Sequence, residues 1–478
     1  MFKKFNLVVT LSVMKKGHLH ILKSEKLSVA KRITAGKTLR DKFPRAKQGN
    51  YKADPNRADP VGILEEQGKS RLPDLVPIRY ARMLTSPFAF LRGAAAIMSA
   101  DLATSAVTCG IQVQVCGDMH VANFGVFASA ERNLIFGIND FDETLPGPWE
   151  WDLKRLVASI VSSGRFLGAD KILCEDGVRA AVSSYRNRMK EFAYKGNLAL
   201  WYTTISEKDI LRTLTPSERK RLTKITDKAR ERTHLQVLGK MTDLVGDQYR
   251  LRVNAPFIVR ETHTQAGKPI DEALQQVLES YFHSLSDDRK QLLSHYTITD
   301  IARKIVGVGS VGTRCWIIFL TGNSSDDPLF LQVKEAQASV LEPYVGKSNY
   351  SNSGQRVVAG QRLLQSAPDI FLGWGEIDGF HFYIRQLRDM KGGAEFDPGK
   401  VKLENFSQYC TLCAWSLALA HAKSGDAAMI SGYIGNSGEL EDAMVRFGVL
   451  YADQTEKDFN ALAAAARSGR IKVAASGT

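Results

Sequence analysis

The stretch of sequence that decides the fold reads VCGDMHVANFGVF over residues 115–127 and INDFDETLPGPWEWDL over residues 138–153. Strand-like residues precede each polar turn, first over Ile111 to Val115 and then over Leu134 to Ile138. Helical spacing of apolar residues begins again at Trp151. Carboxylate, amide and imidazole groups are therefore concentrated where two strands end, inside mixed α+β structure.

These polar residues match the needs of phosphoryl transfer. That reaction uses a carboxylate to orient the attacking hydroxyl, and an amide and a second carboxylate to hold Mg²⁺ against a triphosphate. Asp118 and Asn123 have the five-residue spacing of a kinase catalytic loop. Asp140, followed by Phe141, stands after the next strand, where the metal-binding Asp of a kinase is found.

Ordinary turn chemistry is the alternative, because Asp and Asn side chains often bond their own backbone in turns. The agreement of three spacings favours a site for Asp118, Asn123 and Asp140. For His120 a supporting role and a purely structural one stay open. Asp142 is interpreted as a supporting residue, with a surface role and a metal ligand as alternatives.

Four runs of the chain resemble an uncharacterised bacterial family known only as domain of unknown function 2252: residues 86–98, 115–127, 138–156 and 451–459. The resemblance extends from about residue 36 to near the C-terminus and brings no activity with it. More informatively, GDMHVAN and INDFDE are similar to the HGDxHxxN and IDFxD motifs of aminoglycoside phosphotransferases and related small-molecule kinases.

That similarity implies roles for individual residues. Asp118 would be the catalytic base, Asn123 and Asp140 the Mg²⁺ ligands, and Asp152 the buried carboxylate that steadies the catalytic loop. Cys116 departs from the motif, since those kinases usually have His there.

A second glycine-rich segment predicts the nucleotide-binding half of such a site. Gly307, Gly309 and Gly312 form a GxGxxG pattern, and Lys334 ends a strand-like Leu-Gln-Val-Lys. Strands follow the glycines, which favours a kinase-type phosphate loop over a dinucleotide fold; a tight hairpin with a surface lysine is the alternative. Glu342 is a candidate acidic partner for Lys334, and residues 383–387 are expected to meet the adenine.

The order of these pieces is reversed relative to kinases, in which the glycine loop and lysine precede the catalytic loop. We therefore predict an α+β, protein-kinase-like two-lobed fold that is circularly permuted and carries an extra helical region. Helix-like residues 417–426 would mark the seam. A permuted site requires Lys334 within about 15 Å of Asp140.

The predicted organisation has five parts. They are a basic N-terminal arm (1–75), the catalytic-loop and metal-site part of the larger lobe (76–169), a helical region (170–300), a glycine-rich-loop nucleotide-binding lobe (301–395), and C-terminal helices completing the larger lobe (396–478). A helix is expected from Ser86-Pro87, and others near 357–364, 405–423 and 439–467. Strands are expected at 315–320, 329–333 and 381–387.

The net charge of +13 is concentrated at one end of the chain. Residues 1–50 hold 13 Lys and Arg against Glu25 and Asp41, which leaves only about +2 for the rest. Nucleic-acid binding is therefore an alternative for the arm alone. Arg79, Arg82 and Arg92 would either bind an anionic acceptor or form salt bridges.

Six scattered cysteines suit a reducing cytoplasm, and no window reaches the roughly 20 apolar residues of a membrane span. The apolar run from Phe5 to Met14 imitates a signal peptide, but Lys15 and Lys16 interrupt it. The sequence thus predicts a cytoplasmic, ATP- and Mg²⁺-dependent phosphotransferase. A small-molecule acceptor is favoured over a protein; AMP transfer, or a degenerate kinase-like protein that binds nucleotide and regulates partners, are the alternatives.

Overall fold

The structure is a computed structural model that describes residues 27–475, apart from 214–218, 221–222, 224–225, 228–229, 231–233, 265–266, 388–391, 394–395 and 400–402. The signal-like run from Phe5 to Met14 lies outside the described residues. Mixed helices and strands build several sheets, which confirms the α+β class.

The helices are α1 (Val29–Lys42), α2 (Pro60–Gly68), α3 (Val76–Met83), α4 (Pro87–Gly93), α5 (Ala95–Ser105), α6 (Trp149–Phe166), α7 (Lys171–Tyr194), α8 (Asn197–Trp201), α9 (Glu207–Thr213), α10 (His234–Met241), α11 (Ile270–Ser284), α12 (Asp287–Leu293), α13 (Glu342–Val345), α14 (Ser353–Leu364), α15 (Phe406–Ser424), α16 (Ala427–Ile434) and α17 (Glu439–Arg467). The strands are β1 (Gln112–Val115), β2 (Phe124–Ala128), β3 (Leu134–Ile138), β4 (Leu145–Pro148), β5 (Thr242–Val245), β6 (Gln248–Leu251), β7 (Ile258–Val259), β8 (Thr297–Lys304), β9 (Cys315–Thr321), β10 (Pro328–Ala336), β11 (Gly373–Ile377), β12 (Phe380–Gln386) and β13 (Gly392–Gly393).

Local sequence signals explain several helix boundaries. Ser86 caps α4, since its hydroxyl accepts a hydrogen bond from the Ala89 N–H at 3.0 Å, and Pro87 fills the first helical position. The predicted helix is interrupted at Ala94, whose φ of −111° ends α4 before α5 begins. Two short helices therefore replace a single long one.

Two small sheets position the polar turns. Strand β1 pairs with β4, and β2 pairs with β3 so that Phe124 faces Ile138. The first polar turn leaves β1 and enters β2, while the second leaves β3 at Ile138. The Asn139 N–H donates to the Asn123 carbonyl at 2.8 Å, so the two turns lie side by side.

A six-stranded antiparallel sheet, ordered β11-β12-β10-β9-β8-β7, holds the glycine-rich segment between β8 and β9. Lys334 on β10 is opposite Cys315 on one side and Tyr383 on the other. Strands β5, β6, β7 and β8 all fall in the region 170–300 (β8 extending to Lys304), where the sequence predicted helices only. Short, partly exposed strands such as β5 and β6 give too little alternation of apolar residues to be distinguished by pattern.

A helical body packs below the small sheets. Helix α6 is buried from Trp149 to Gly164 and contacts α7 and α17, while α15 packs on α7. No helix within the described ranges has both the length and the apolar character needed to cross a bilayer.

The described part of the predicted basic arm is packed onto this body. Helix α1 lies against α16, where a Cβ added at Gly36 would meet the Met429 carbonyl oxygen at 2.0 Å. Arg40 and Arg45 donate to the carbonyls of Tyr433 and Ile434 at 2.8 and 2.7 Å. These basic side chains therefore satisfy the carbonyl end of α16, where cations are favoured, and the expectation of an arm is corrected for residues 27–75.

Candidate functional site

Asp152 fixes the start of the first polar turn. It is 1% exposed on α6, and its two oxygens accept hydrogen bonds from the N–H groups of Cys116 at 2.6 Å and Gly117 at 2.9 Å. Gly117 has a φ of +80°, and a Cβ there would meet the Glu143 carbonyl at 2.7 Å, so only glycine fits. His421 lies 3.2 Å from Asp152, within the helix that was expected to mark the permutation seam.

Asp118 follows this anchored turn and lies against a buried arginine. Its Oδ1 accepts a hydrogen bond from Arg155 Nε at 2.8 Å and a second from Nη2. Burial raises the pKa of Asp118, while the Arg155 charge and hydrogen bonds oppose that rise. His120 Nε2 lies 3.8 Å from Asp118 Oδ2, and burial with the nearby charges of Arg92 and Arg155 lowers the pKa of His120. Burial and the neighbouring cations thus favour the neutral form of His120.

Asn123 and Asp140 lie beside Asp118. The Asn123 amide nitrogen donates to the Asp118 carbonyl at 2.7 Å, which leaves the amide oxygen as the free ligand atom. Asp140 has a side chain 34% exposed, and its carbonyl accepts from Cys116 Sγ at 3.0 Å. An amide oxygen and a carboxylate fit Mg²⁺, which usually takes few protein ligands together with substrate phosphates. In the part of the chain that the structure describes, no cluster of three or more His, Cys, Asp and Glu side chains forms a metal site by itself.

Lys334 reaches the second polar turn from the sheet. Its side chain is 3% exposed, and Nζ lies 2.5 Å from Asp142 Oδ2 and 3.7 Å from Asp140 Oδ2. The distance to Asp140 is well inside the limit of about 15 Å that a permuted site requires. Burial by itself would raise the pKa of Asp142, but the Lys334 charge outweighs it and holds that pKa below its usual range.

Asp142 is thus the acidic partner of Lys334, and the candidate Glu342 is not. Glu342 instead lies 3.4 Å from the Ser339 N–H, while Glu335 pairs with Arg314 at 3.0 Å. Asp142 is held on its other oxygen by the Tyr383 hydroxyl at 2.8 Å. Tyr383 is a buried residue of β12, and its hydroxyl is directed to the acidic turn.

The glycine-rich segment is tied to the N-terminal helices. Gly307 and Gly312 have φ angles of +66° and +93°, and a Cβ at Gly309 would meet the Arg92 carbonyl at 3.1 Å. Arg82 donates to the Gly307 carbonyl and Arg71 to the Val311 carbonyl. Ser310, between the glycines, donates to Asp142 Oδ2 at 3.2 Å, so the segment lies over the acidic turn.

One cavity of about 250 Å³ connects these groups. Its lining includes the predicted catalytic and metal residues, part of the glycine segment and three arginines. They are Asp118, His120, Asn123, Asp140, Asp142, Gly307, Gly309, Arg71, Arg79 and Arg92. A cavity of about 320 Å³ beside the β2–β3 hairpin is larger, but Asp118, Asn123, Asp140 and Lys334 do not line it.

Arg356, a residue near the site, was missed by sequence reasoning. Arg356 on α14 is 2% exposed and donates to the carbonyls of Asp142, Thr144 and Gln337 at 2.7 to 2.9 Å. Glu143 accepts from the Val340 N–H at 2.8 Å, and burial raises its pKa to about 7 against the opposing charge of Arg356. The signal for Arg356 was a charged residue on the apolar face of an otherwise buried helix.

A protein-family model described as an uncharacterized protein conserved in bacteria (DUF2252) matches residues 71–465. The match confirms the family that the sequence motifs predicted. No curated protein and no solved structure matches the chain.

Proposed function

The chain belongs to the DUF2252 family, and we propose that it is an ATP- and Mg²⁺-dependent phosphotransferase with a circularly permuted, kinase-like two-lobed fold. The observation that carries the proposal is a convergence. Asp118, Asn123, Asp140 and the glycine segment line one cavity, and Lys334 joins them through its ion pair, although up to 216 residues separate Lys334 from Asp118.

The proposed roles follow from the contacts of each side chain. The Asn123 amide oxygen and the Asp140 carboxylate would hold Mg²⁺, which would offset negative charge on the nucleotide phosphates when bound. Lys334, kept in place by Asp142, would bind the α- and β-phosphates. Backbone N–H groups of the glycine segment would cover them.

Asp118 is the proposed catalytic base for an acceptor hydroxyl. As the acceptor oxygen forms its bond to the γ-phosphorus, the bond between that phosphorus and the β–γ bridging oxygen breaks and ADP leaves. The hydroxyl proton passes to Asp118, whose buried position raises its affinity for a proton. Arg155 orients the carboxylate through Oδ1.

The element order supports the permutation. From β8 the chain runs through the glycine segment, β9, β10 with Lys334, α14, β11 and β12, which is the order of a kinase small lobe. The catalytic turn, β2, β3 and the metal turn precede it. Permutation of this kind costs a fold little when its natural termini lie close together.

Calorimetry with Mg²⁺ and a non-hydrolysable ATP analogue tests the first step. The wild-type chain is expected to bind, and Asp140→Ala is expected to weaken binding by about tenfold or more because it removes the metal carboxylate. Asp326→Ala, an exposed aspartate in the β9–β10 turn, is the matched control and should bind like wild type. Absence of binding by the wild type would refute the proposal.

Mass spectrometry of the acceptor or of the self-modified chain distinguishes the transferred group. The proposal requires the added mass of a phosphoryl group. The added mass of AMP would show that the site transfers the nucleotide instead, with phosphorus attacked at the α position.

A further inference from the structure

Three arginines line the cavity of the proposed site and have no part in the nucleotide and metal roles proposed above. Arg71 precedes α3, Arg79 lies within α3, and Arg92 lies within α4. All three come from one N-terminal segment, whereas Lys334 and the glycine segment come from the sheet. The cationic groups that line the cavity therefore come from a part of the fold separate from the sheet that carries Lys334.

Arg71 and Arg79 donate hydrogen bonds to neutral groups. Arg71 Nη1 donates to the Val311 carbonyl, and Arg79 Nη2 donates to Gln67 Oε1 at 2.9 Å and to the Gly93 carbonyl at 3.0 Å. The Arg92 guanidinium lies 6.0 Å from the centre of the Phe88 ring. Buried nitrogens remain without a hydrogen-bond partner among the described residues: Nε of Arg71, Nε and Nη1 of Arg79, and Nε of Arg92.

Arg155, another buried arginine near the site, differs because it forms an ion pair with Asp118. Arg356 also donates only to carbonyls and keeps Nε without a partner among the described residues, but it does not line the cavity. Removing an unpaired charge from water costs several kcal/mol in proteins. Burial of the Arg79 guanidinium, which is 1% exposed, therefore costs considerable folding free energy unless an anion binds to it.

The carboxylates that face these arginines are already engaged elsewhere. Burial lowers the pKa of Arg71, and the negative charges of Glu143, Glu335 and Asp142 oppose that shift. Burial also lowers the pKa values of Arg79 and Arg92, opposed by the charge of Glu143 at Arg79 and by that of Asp118 at Arg92. Asp142 is paired with Lys334, Asp118 with Arg155, and Glu335 with Arg314. Glu143, the remaining carboxyl, accepts from the Val340 N–H and has a pKa raised to about 7.

We propose that Arg71, Arg79 and Arg92 bind the anionic group of the acceptor, so that the substrate is a small hydroxyl compound bearing a phosphate or a carboxylate. This inference rests on the proposed function. Guanidinium groups bind both kinds of oxyanion in paired hydrogen bonds. Arg92 and Asp118, the proposed base, line the same cavity, so the three arginines and the acceptor hydroxyl would share it. A cavity of about 250 Å³ suits a small molecule.

The nucleotide is the alternative ligand for the three arginines. Whether they bind the nucleotide or the acceptor depends on which other groups bind the triphosphate. The triphosphate already has Lys334, the glycine-segment amides and Mg²⁺. The three arginines lie on a different chain segment. Arg71 contacts the glycine segment by donating to the Val311 carbonyl, a group that cannot bind phosphate.

Calorimetry on the full chain saturated with Mg²⁺ and a non-hydrolysable ATP analogue tests the proposal, with inorganic phosphate and then acetate as the added probes. Phosphate is expected to bind the wild-type complex and to bind Arg92→Gln and Arg71→Gln about tenfold more weakly or worse. Arg179→Gln, an exposed arginine on α7 that pairs with Asp442, is the matched control and should bind phosphate like wild type. Melting temperatures near that of wild type will show that the variants are folded.

The outcomes separate the two proposals. Failure of the wild-type complex to bind either probe, or equal binding by the arginine variants, overturns the anion site. Weakened nucleotide binding with unchanged phosphate binding in those variants assigns the arginines to ATP and also overturns it. Phosphate binding through Arg71 and Arg92 without any nucleotide binding supports the anion site and refutes the phosphotransferase.

The kind of acceptor can then be determined by activity. With Mg²⁺·ATP, transfer to phosphate-bearing or carboxylate-bearing hydroxyl compounds is expected to exceed transfer to their neutral counterparts, and Arg92→Gln should remove that preference. An equal rate on neutral compounds would contradict an anionic acceptor. The response to phosphate and acetate predicts which class is preferred.

Discussion

Lys334 Nζ lies 2.5 Å from Asp142 Oδ2, although 192 positions separate the two residues in the chain. This contact joins the six-stranded sheet to the second polar turn. Both Asp142 oxygens are engaged, Oδ2 by Lys334 and Ser310 and Oδ1 by Tyr383. Asp142 thus holds Lys334 in place, and Asp140 is the carboxylate proposed to bind the metal.

Replacing Lys334 by Met should affect both stability and nucleotide binding. The change leaves the buried Asp142 carboxylate without its cation, which is expected to cost about 3 to 5 kcal/mol of unfolding free energy. It should also weaken Mg²⁺·ATP binding by about tenfold or more. Thermal unfolding and calorimetry measure the two effects.

The double variant Lys334→Met with Asp142→Asn separates the effect on stability from the effect on nucleotide binding. Removing the buried charge should restore most of the melting temperature while leaving nucleotide binding weak. Recovery of binding in the double variant would show that Lys334 does not contact the nucleotide.

Asp118→Asn should abolish most of the catalysis and leave the nucleotide bound. Asn cannot accept the acceptor proton, so the transfer rate is expected to fall by about 10² to 10⁴. Its amide oxygen can still accept from Arg155, which should keep the turn in place. Single-turnover phosphate transfer, compared with calorimetric ATP binding, checks this; an unaltered rate would contradict a role as base.

Asp152→Asn should unfold the first polar turn. The aspartate accepts from two backbone N–H groups, and an asparagine would direct its own NH₂ toward one of them. The free energy of unfolding is expected to fall by about 3 kcal/mol, because a buried N–H donor loses the charged carboxylate that accepted its hydrogen bond. Asp170→Asn, which alters only the N-cap of α7, is the control and should cost about 1 kcal/mol or less. Equal melting temperatures for the two variants would count against this role of Asp152.

The burial of Lys154 should make the stability of the protein depend on pH in the alkaline range. Lys154 is 0% exposed, its Nζ has no hydrogen-bond partner among the described residues, and burial lowers its pKa to about 8, with Glu150 opposing. Between about pH 8 and 10.5 the unfolded chain keeps a proton that the folded chain has released. The contribution of Lys154 to stability therefore rises with pH across that window, by about 3 kcal/mol.

Lys154→Met isolates that contribution. The variant should be more stable than wild type at pH 7, and the difference in melting temperature should shrink by pH 10. A difference that stays constant between the two pH values would refute the lowered pKa.

Local motifs predicted the strands and helices that surround the site. The bounds of Leu134–Ile138 and Glu439–Arg467 were predicted without error, because each has a clean apolar period and a marked end. Cys315–Thr321 and Pro328–Ala336 were predicted to within a few residues. Spacing along the chain also indicated that Asp118, Asn123 and Asp140 lie together.

Contacts between distant segments were not predictable in the same way. The ion pair of Lys334 with Asp142 and the three carbonyls bound by Arg356 depend on how the sheet packs on the second polar turn. Nothing in the neighbouring sequence of either residue specifies that packing. Helix α1 was likewise mistaken for part of an arm, since its contact with α16 depends on Gly36 meeting a backbone about 390 residues later.

The burial of α6 has a consequence for biosynthesis. The ribosome completes Trp149–Phe166 long before it makes Phe406–Ser424 and Glu439–Arg467, the helices that help to cover it. During that interval the nascent chain exposes an apolar helix and an unsupported first polar turn, which is the situation that molecular chaperones relieve. A translation product that stops before residue 406 would contain every proposed catalytic residue and still lack the helix that carries His421.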